Sequence, residues 1–257
     1  MNCPLCNAAN IKQFHRWPSY SVDECAVCGF RFVDTNAPEY PKDAQYVYDE
    51  PGAFTANPEH PHIQRRVQDI LRFSHPPGKA LDVGCGRGEV CVALTQAGYA
   101  CTGLDMKERL ITSLQAQQPK VRWMRAMTDE LERMGEQFDV ITLYHVLEHV
   151  AKPVECLANI KRLLRPGGLL VLEVPNVAGW EARLKGHRWH YYKVDHVNYF
   201  RPKDLVRAAR LAGLNAVGMR GYQHFSYPQN VLWKDLVKSS LAKFGFQDVV
   251  SVFLRVE

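Results

Sequence analysis

Four cysteines near the amino terminus stand in two C-x2-C pairs, Cys3-Pro4-Leu5-Cys6 and Cys25-Ala26-Val27-Cys28, with 18 residues between them. Each C-x2-C turn can place two thiolates on one ion, and two such turns complete the tetrahedral set that zinc prefers. Four thiolates leave no open coordination position, so the expected zinc is structural rather than catalytic. A second group is the turn Gly84-Cys85-Gly86-Arg87-Gly88, followed seventeen residues later by Asp105. Glycines in such a turn let the backbone approach a ligand, and an acid at that distance can accept hydrogen bonds from a ribose. The G-x-G-x-G spacing, with Glu89 behind it, departs from the dinucleotide fingerprint, and the Lys-Ser/Thr of a phosphate loop is missing. What fits is a nucleoside ligand without phosphates.

Two further segments carry histidine. His145-Val146-Leu147-Glu148-His149 matches H-x-x-E-H, the inverted zinc-protease motif. That motif needs both histidines on one face of a helix, whereas this segment directly follows an apolar strand pattern, so a protease is not expected. Gly186–Phe200 holds three histidines and five aromatic residues in 15 positions. An unperturbed imidazole, with a pKa of about 6.5, suits proton removal at neutral pH.

The elements that must position these groups are legible from periodicity. Residues 79–83 read as a buried strand and Val90–Ala97 as a helix. Cys101–Asp105 reads as the next strand, so the glycine turn opens a β–α–β unit. Arg122–Met127 reads as a third strand and its exit, and Phe138–Tyr144 as a fourth. A helix should open at Pro153, Arg165–Gly168 should turn, and Leu169–Val174 should form a fifth strand. A helix is expected over Ile63–Phe73 and another over Pro202–Ala212. Strands are expected at Asn215–Met219 and Asp248–Glu257. The boundaries implied are a ribbon over 1–40, a Pro- and Tyr-rich linker or cap over 41–62, and a core over 63–257. An insertion at 221–247 holds a helix over Val231–Phe244.

Leu81-Asp82-Val83-Gly84-Cys85-Gly86-Arg87-Gly88 resembles the first motif of the class I S-adenosylmethionine-dependent methyltransferases residue for residue. The F-D-V-I, H-V-L-E-H-V, L-R-P-G-G and V-P-N segments are similar to that family's later motifs, in its order and spacing, across roughly residues 63–220. The resemblance implies an α/β, Rossmann-like, seven-stranded, mostly parallel sheet with an antiparallel last strand. It implies S-adenosylmethionine at Asp82, Gly84, Cys85, Gly86, Gly88, Asp105, Met106 and Tyr144. Backbone near Ala126 and Met127 would meet adenine, since the nearest carboxylate in that stretch is Asp129. The resemblance extends to small-molecule members such as the ubiquinone-biosynthesis O-methyltransferases, whose E-x-x-E-H motif accompanies a divalent metal; His145 replaces the first carboxylate here. Relatives carry G-x-x-W and H-x-x-F where this chain has Gly186, Trp189, His196 and Tyr199-Phe200. The resemblance therefore implies an acceptor wall built from Glu148, Arg188, Trp189, Tyr192 and Tyr199. His149 or His196 is the expected base, with His145 orienting the acceptor.

Charge narrows the partners. The formal net charge is +5, yet residues 1–40 hold only Lys12, Arg16 and Arg31 against four acids. Four thiolates on zinc add a further negative charge, so the ribbon lacks the basic surface that phosphate backbones require. A substrate-side or subunit-contact role is expected instead. Arg183–Arg210 carries eight basic residues against Asp195 and Asp204, which suits an anionic or polar small acceptor. No apolar run approaches the roughly 18 residues of a membrane helix, so a cytoplasmic monomer or homodimer is expected. An RNA-base methyltransferase and a non-catalytic partner that keeps the fold are the alternatives.

Overall fold

The computed structural model describes residues 1–38, 40–41, 56–128, 130–222 and 247–256. Asp129, most of the 41–62 linker and the helix expected over Val231–Phe244 lie outside the described residues.

Strands β4 (Gly78–Val83), β5 (Tyr99–Asp105), β7 (Phe138–Tyr144) and β8 (Leu164–Pro175) are almost continuously buried. Such runs mark parallel strands covered on both faces. They join β6 (Arg122–Arg125), β10 (Leu214–Tyr222) and β11 (Val249–Val256) in the order β10-β11-β8-β7-β4-β5-β6. The five strands β4 to β8 pair in parallel, and β11 runs antiparallel to both β8 and β10. The fold is therefore the seven-stranded Rossmann-like sheet that the motifs imply.

Alternation along the strands divides the core. Ala80, Val140 and Phe253 face helices α1 (Pro61–Leu71), α2 (Glu89–Gln96) and α3 (Glu108–Gln117). Leu81, Val83, Ile141, Val252 and Leu254 face α4 (Pro153–Leu163) and α6 (Pro202–Leu211). A short helix, α5 (Trp180–Lys185), leads into the histidine-rich segment.

Two local readings change. The first helix begins at Pro61, inside the expected linker: proline suits the first helical turn, and the His60 side chain accepts from the His62 amide at 3.2 Å. Arg165–Gly168 is a bulge within β8 rather than a separating turn. Pairing jumps from Phe138↔Leu164 to Val140↔Leu169, and Gly167, at φ +74°, takes up the extra residues.

The amino-terminal module forms β1 (Ile11–Arg16), β2 (Ser21–Cys25) and β3 (Arg31–Phe32), an antiparallel sheet whose fourth strand is β9 (Asn198–Tyr199). Leu5, Phe30 and Phe32 are buried in the same cluster as the α4 and α6 side chains. Burying each phenylalanine contributes roughly 1.5–3 kcal/mol, so the ribbon is anchored by core packing as well as by strand pairing.

The close fit of α2 and β6 against β5 is testable. A Cβ on Gly103 would stand 2.3 Å from the Trp123 ring and 2.9 Å from Cys91 Sγ. Gly103→Ala should lower stability in urea titration by about 1–3 kcal/mol; an unchanged midpoint would contradict this packing.

Candidate active site

The turn after β4 curls around Asp105. Its Oδ2 accepts from the Gly86 amide at 3.1 Å and its Oδ1 from the Lys107 amide at 3.0 Å, so the carboxylate is held at the end of β5. Gly84 and Gly86 have positive φ. A Cβ on Gly84 would come within 2.5 Å of Val146, while one on Gly86 would meet none of the described residues within 4 Å. Val83, Gly84, Leu104, Asp105, Met106, Ala126 and Met127 line one side of a cavity of about 1230 Å³. A half-buried acid at the cavity wall, open glycine backbone and an apolar flank fit an adenosine with its ribose on Asp105. Cys85, Gly86 and Gly88 shape the turn behind this wall. Asp82 lies beneath it, accepting from Thr142 Oγ1 at 2.6 Å and from Cys91 Sγ at 3.7 Å; burial pushes its pKa up to about 6. Tyr144 stacks under the Arg66 guanidinium, 4.0 Å from the ring centroid.

The opposite side of the same cavity is lined by His145, Glu148, His149, Tyr191, Lys193, Asp195 and His196. His145 has φ +58°, a conformation that costs a non-glycine residue on the order of 1 kcal/mol. That twist places its ring between two buried carboxylates, with Nδ1 3.2 Å from Glu148 Oε1 and Nε2 3.7 Å from Glu173 Oε1. Burial opposes the charge on Glu148, yet the hydrogen bond from His145 and that ring's charge hold its carboxyl below the usual range. Glu173 is likewise buried and held well below that range by Arg66, His62 and His145. Ser251 Oγ donates to its second oxygen at 2.6 Å. Glu148 Oε2 is buried and has no hydrogen-bond partner among the described residues.

His149 and His196 meet edge to face, 4.7 Å between centroids. Their environments differ. His196 is buried, which lowers its pKa to about 3, so its imidazole is neutral and weakly basic. His149 is open to the cavity and donates from Nδ1 to the Asp195 carbonyl at 2.8 Å, with Asp195 Oδ2 3.5 Å away. Because a carbonyl only accepts, Nδ1 carries a hydrogen, and in the neutral ring the lone pair is on Nε2.

Of the residues expected on an acceptor wall, Glu148 lines the cavity. Trp189, Tyr192 and Tyr199 turn the other way, into an aromatic cluster with Tyr20, Val22 and Val33 of the ribbon, and Arg188 is exposed to solvent. Their rings gain more by filling the seam between ribbon and core than by lining a wet cavity. Sequence reasoning missed Asp195, Glu173 and Arg66 as site residues. Only the apolar setting of Glu173 within its strand hinted that a buried acid needed a partner.

The four ribbon cysteines are unbonded, with Sγ atoms all within 4.8 Å of one another. Cys3–Cys28 is 3.7 Å and Cys6–Cys25 is 3.5 Å. Tetrahedral Zn–S bonds of about 2.3 Å imply S···S edges of about 3.8 Å, so the set fits zinc. A second group of donors, on Glu148, His149 and His196, also lies within 4.8 Å. The E-x-x-E-H arrangement is not reproduced, because His145 is engaged by Glu148 and Glu173.

Residues 59–218 match the protein family described as "Methyltransferase domain". A ubiquinone biosynthesis O-methyltransferase of Bordetella avium (strain 197N) is 32% identical over 163 residues, which cover 57% of this chain and 66% of that protein. One from Pseudomonas entomophila (strain L48) is 33% identical over 166 residues, covering 58% of this chain and 70% of that one. The chain thus spans about two thirds of these relatives. A SAM dependent methyltransferase from Archaeoglobus fulgidus superposes with a TM-score of 0.58 at 16% identity, covering 77% of this chain and 94% of its own. Among the described residues no helix is long and apolar enough to cross a membrane.

Hydrogen bonds to a charged group contribute about 1.5–3 kcal/mol, or roughly 10- to 100-fold in affinity. Asp105→Ala should weaken S-adenosylmethionine binding by about that factor in calorimetry; an unchanged affinity would place the ribose elsewhere.

Proposed function

We propose a function from one premise: the chain belongs to the methyltransferase-domain family, and its fold is that of the S-adenosylmethionine-dependent methyltransferases. On this reading it methylates an oxygen or nitrogen of a small, polar or anionic acceptor. The supporting observation is that, among the described residues, Gly84 and Asp105 line the same cavity as Glu148, His149 and His196. S-adenosylmethionine, held by the glycine turn, Asp105 and the Met106–Met127 flank, supplies an electrophilic methyl group on a sulfonium. The chain's own residues do the rest. His149 Nε2 takes the acceptor's proton, and Asp195 fixes the tautomer that makes this possible and stabilises the imidazolium that results. Glu148 Oε2 accepts a hydrogen bond from the acceptor, and His145 keeps that carboxylate ionised and aimed. Tyr191 and His196 close the cavity and exclude water, so most of the rate comes from positioning. Lys107, Lys152 and Lys193 at the cavity wall favour an anionic acceptor.

A second reading is favoured by the orphaned oxygen of Glu148: a divalent cation on Glu148, His149 and His196 that polarises the acceptor oxygen. Activity of chelated enzyme that returns only when Mg²⁺ or Mn²⁺ is added after the four-thiolate site has been refilled with stoichiometric zinc would support it over the base mechanism.

The acceptor can be sought by screening hydroxylated aromatic acids and nucleotide sugars for S-adenosylhomocysteine release. With an acceptor so found, His149→Ala should lower kcat by about 10²–10⁴-fold while leaving cofactor affinity unchanged. Wild-type turnover would remove His149 as the base.

A further inference from the structure

We propose that the amino-terminal ribbon is a structural half of the acceptor site: its third strand holds the lid segment that carries Asp195 and His196, so the ribbon's metal governs the lid but not the cofactor end. The observation that carries this is Val197. Its carbonyl accepts from the Val33 amide of the ribbon at 2.9 Å, and its own amide donates to the Glu148 carbonyl at 2.8 Å. One residue therefore ties the ribbon to the loop that bears Glu148 and His149, with His196 adjacent to it in sequence.

The surrounding contacts act in the same direction. β3 pairs with β9 through Arg31↔Tyr199 and Phe32↔Asn198. Arg31 Nη1 donates to Tyr192 Oη at 2.9 Å, and Phe30 packs on Phe200 with centroids 5.2 Å apart. The knuckle itself is engaged, because Arg201 Nη2 donates to the Cys28 carbonyl at 2.9 Å. Past β3, Thr35 and Tyr40 reach the cavity wall, and the Tyr40 hydroxyl donates to the Val194 carbonyl at 2.9 Å. On the other side, Asn198 Nδ2 donates to the Val150 carbonyl at 2.6 Å. A strand of two residues has little stability alone, so its order must come from the partners on its two edges. Asp105 and the glycine turn make none of these contacts.

The four thiolates close the two knuckles that flank β1 and β2 and launch β3. Without the metal they take up protons and no longer tie the two knuckles together, so β3 loses the clasp that sets its position beside β9. The lid should then loosen while the nucleoside end stays ordered. The acceptor role of this lid rests on the function proposed above, but the loosening itself does not.

The test is hydrogen–deuterium exchange on the full chain, read for the 193–200 segment and for β4 and β5. Zinc-loaded protein, chelator-stripped protein and Val33→Pro, which deletes the amide that reaches Val197, are compared, together with S-adenosylmethionine affinity by calorimetry. Stripping, and the substitution where it folds, should speed exchange at 193–200 by at least about tenfold while β4 and β5 keep their protection. Cofactor affinity should hold within about twofold. Unchanged exchange at 193–200 overturns the proposal, as does equal loss of protection in β4 and β5. Because neither readout uses an acceptor, a loosened lid on a protein that transfers no methyl group would refute the proposed function and leave this inference standing.

Discussion

The site exists because of a change of direction at β4. Its neighbours are β5 on one side and β7 on the other, so the chain leaves its carboxyl end one way and returns to the opposite side two strands later. Nothing can bridge the gap at that edge, and a crevice opens there. The glycine turn enters the crevice from β4, Asp105 from β5, and His145 to His149 from β7. Three groups distant in sequence share one cavity because they stand at or just beyond the carboxyl ends of adjacent parallel strands.

Charge then organises the acceptor half. Glu148 and Glu173 are both fully buried, and a buried acid is costly unless a cation meets it. Arg66 meets Glu173, and His145 stands between the two carboxylates. The left-handed backbone at His145 is the local cost of reaching both. This chain of polar contacts runs from the helix before β4 to the cavity floor, and it leaves one oxygen of Glu148 without a partner among the described residues. His149 and His196, which look equivalent as letters, separate by environment: one is fixed in a tautomer and open to the cavity, the other is buried and weakly basic.

Much of this was legible in the sequence, and what was not has a common cause. The knuckles, the glycine turn, Asp105 and the succession of strands and helices along the chain are local patterns with mechanical requirements of their own. The Asp195–His149 contact spans 46 residues, the Arg66–Glu173 contact 107 and the Arg31–Tyr192 contact 161. No local periodicity announces such pairs. β9 is only two residues long, too short to show an alternation, so the joining of ribbon to lid was not visible. The aromatic residues of 186–200 were recognised as a group, but their composition cannot say which face is wet. Trp189, Tyr192 and Tyr199 fill the seam with the ribbon, whereas Tyr191 reaches the cavity.

The central claim is that one cavity joins the nucleoside grip to the histidine wall. A crystal structure of the protein soaked with S-adenosylhomocysteine addresses it most directly. The account requires both ribose hydroxyls on Asp105, adenine against Met106 and Met127, and the thioether sulfur turned toward His149 with open space between them. Electron density for the nucleoside on any other surface, or a sulfur facing away from His149 behind a closed wall, would contradict it.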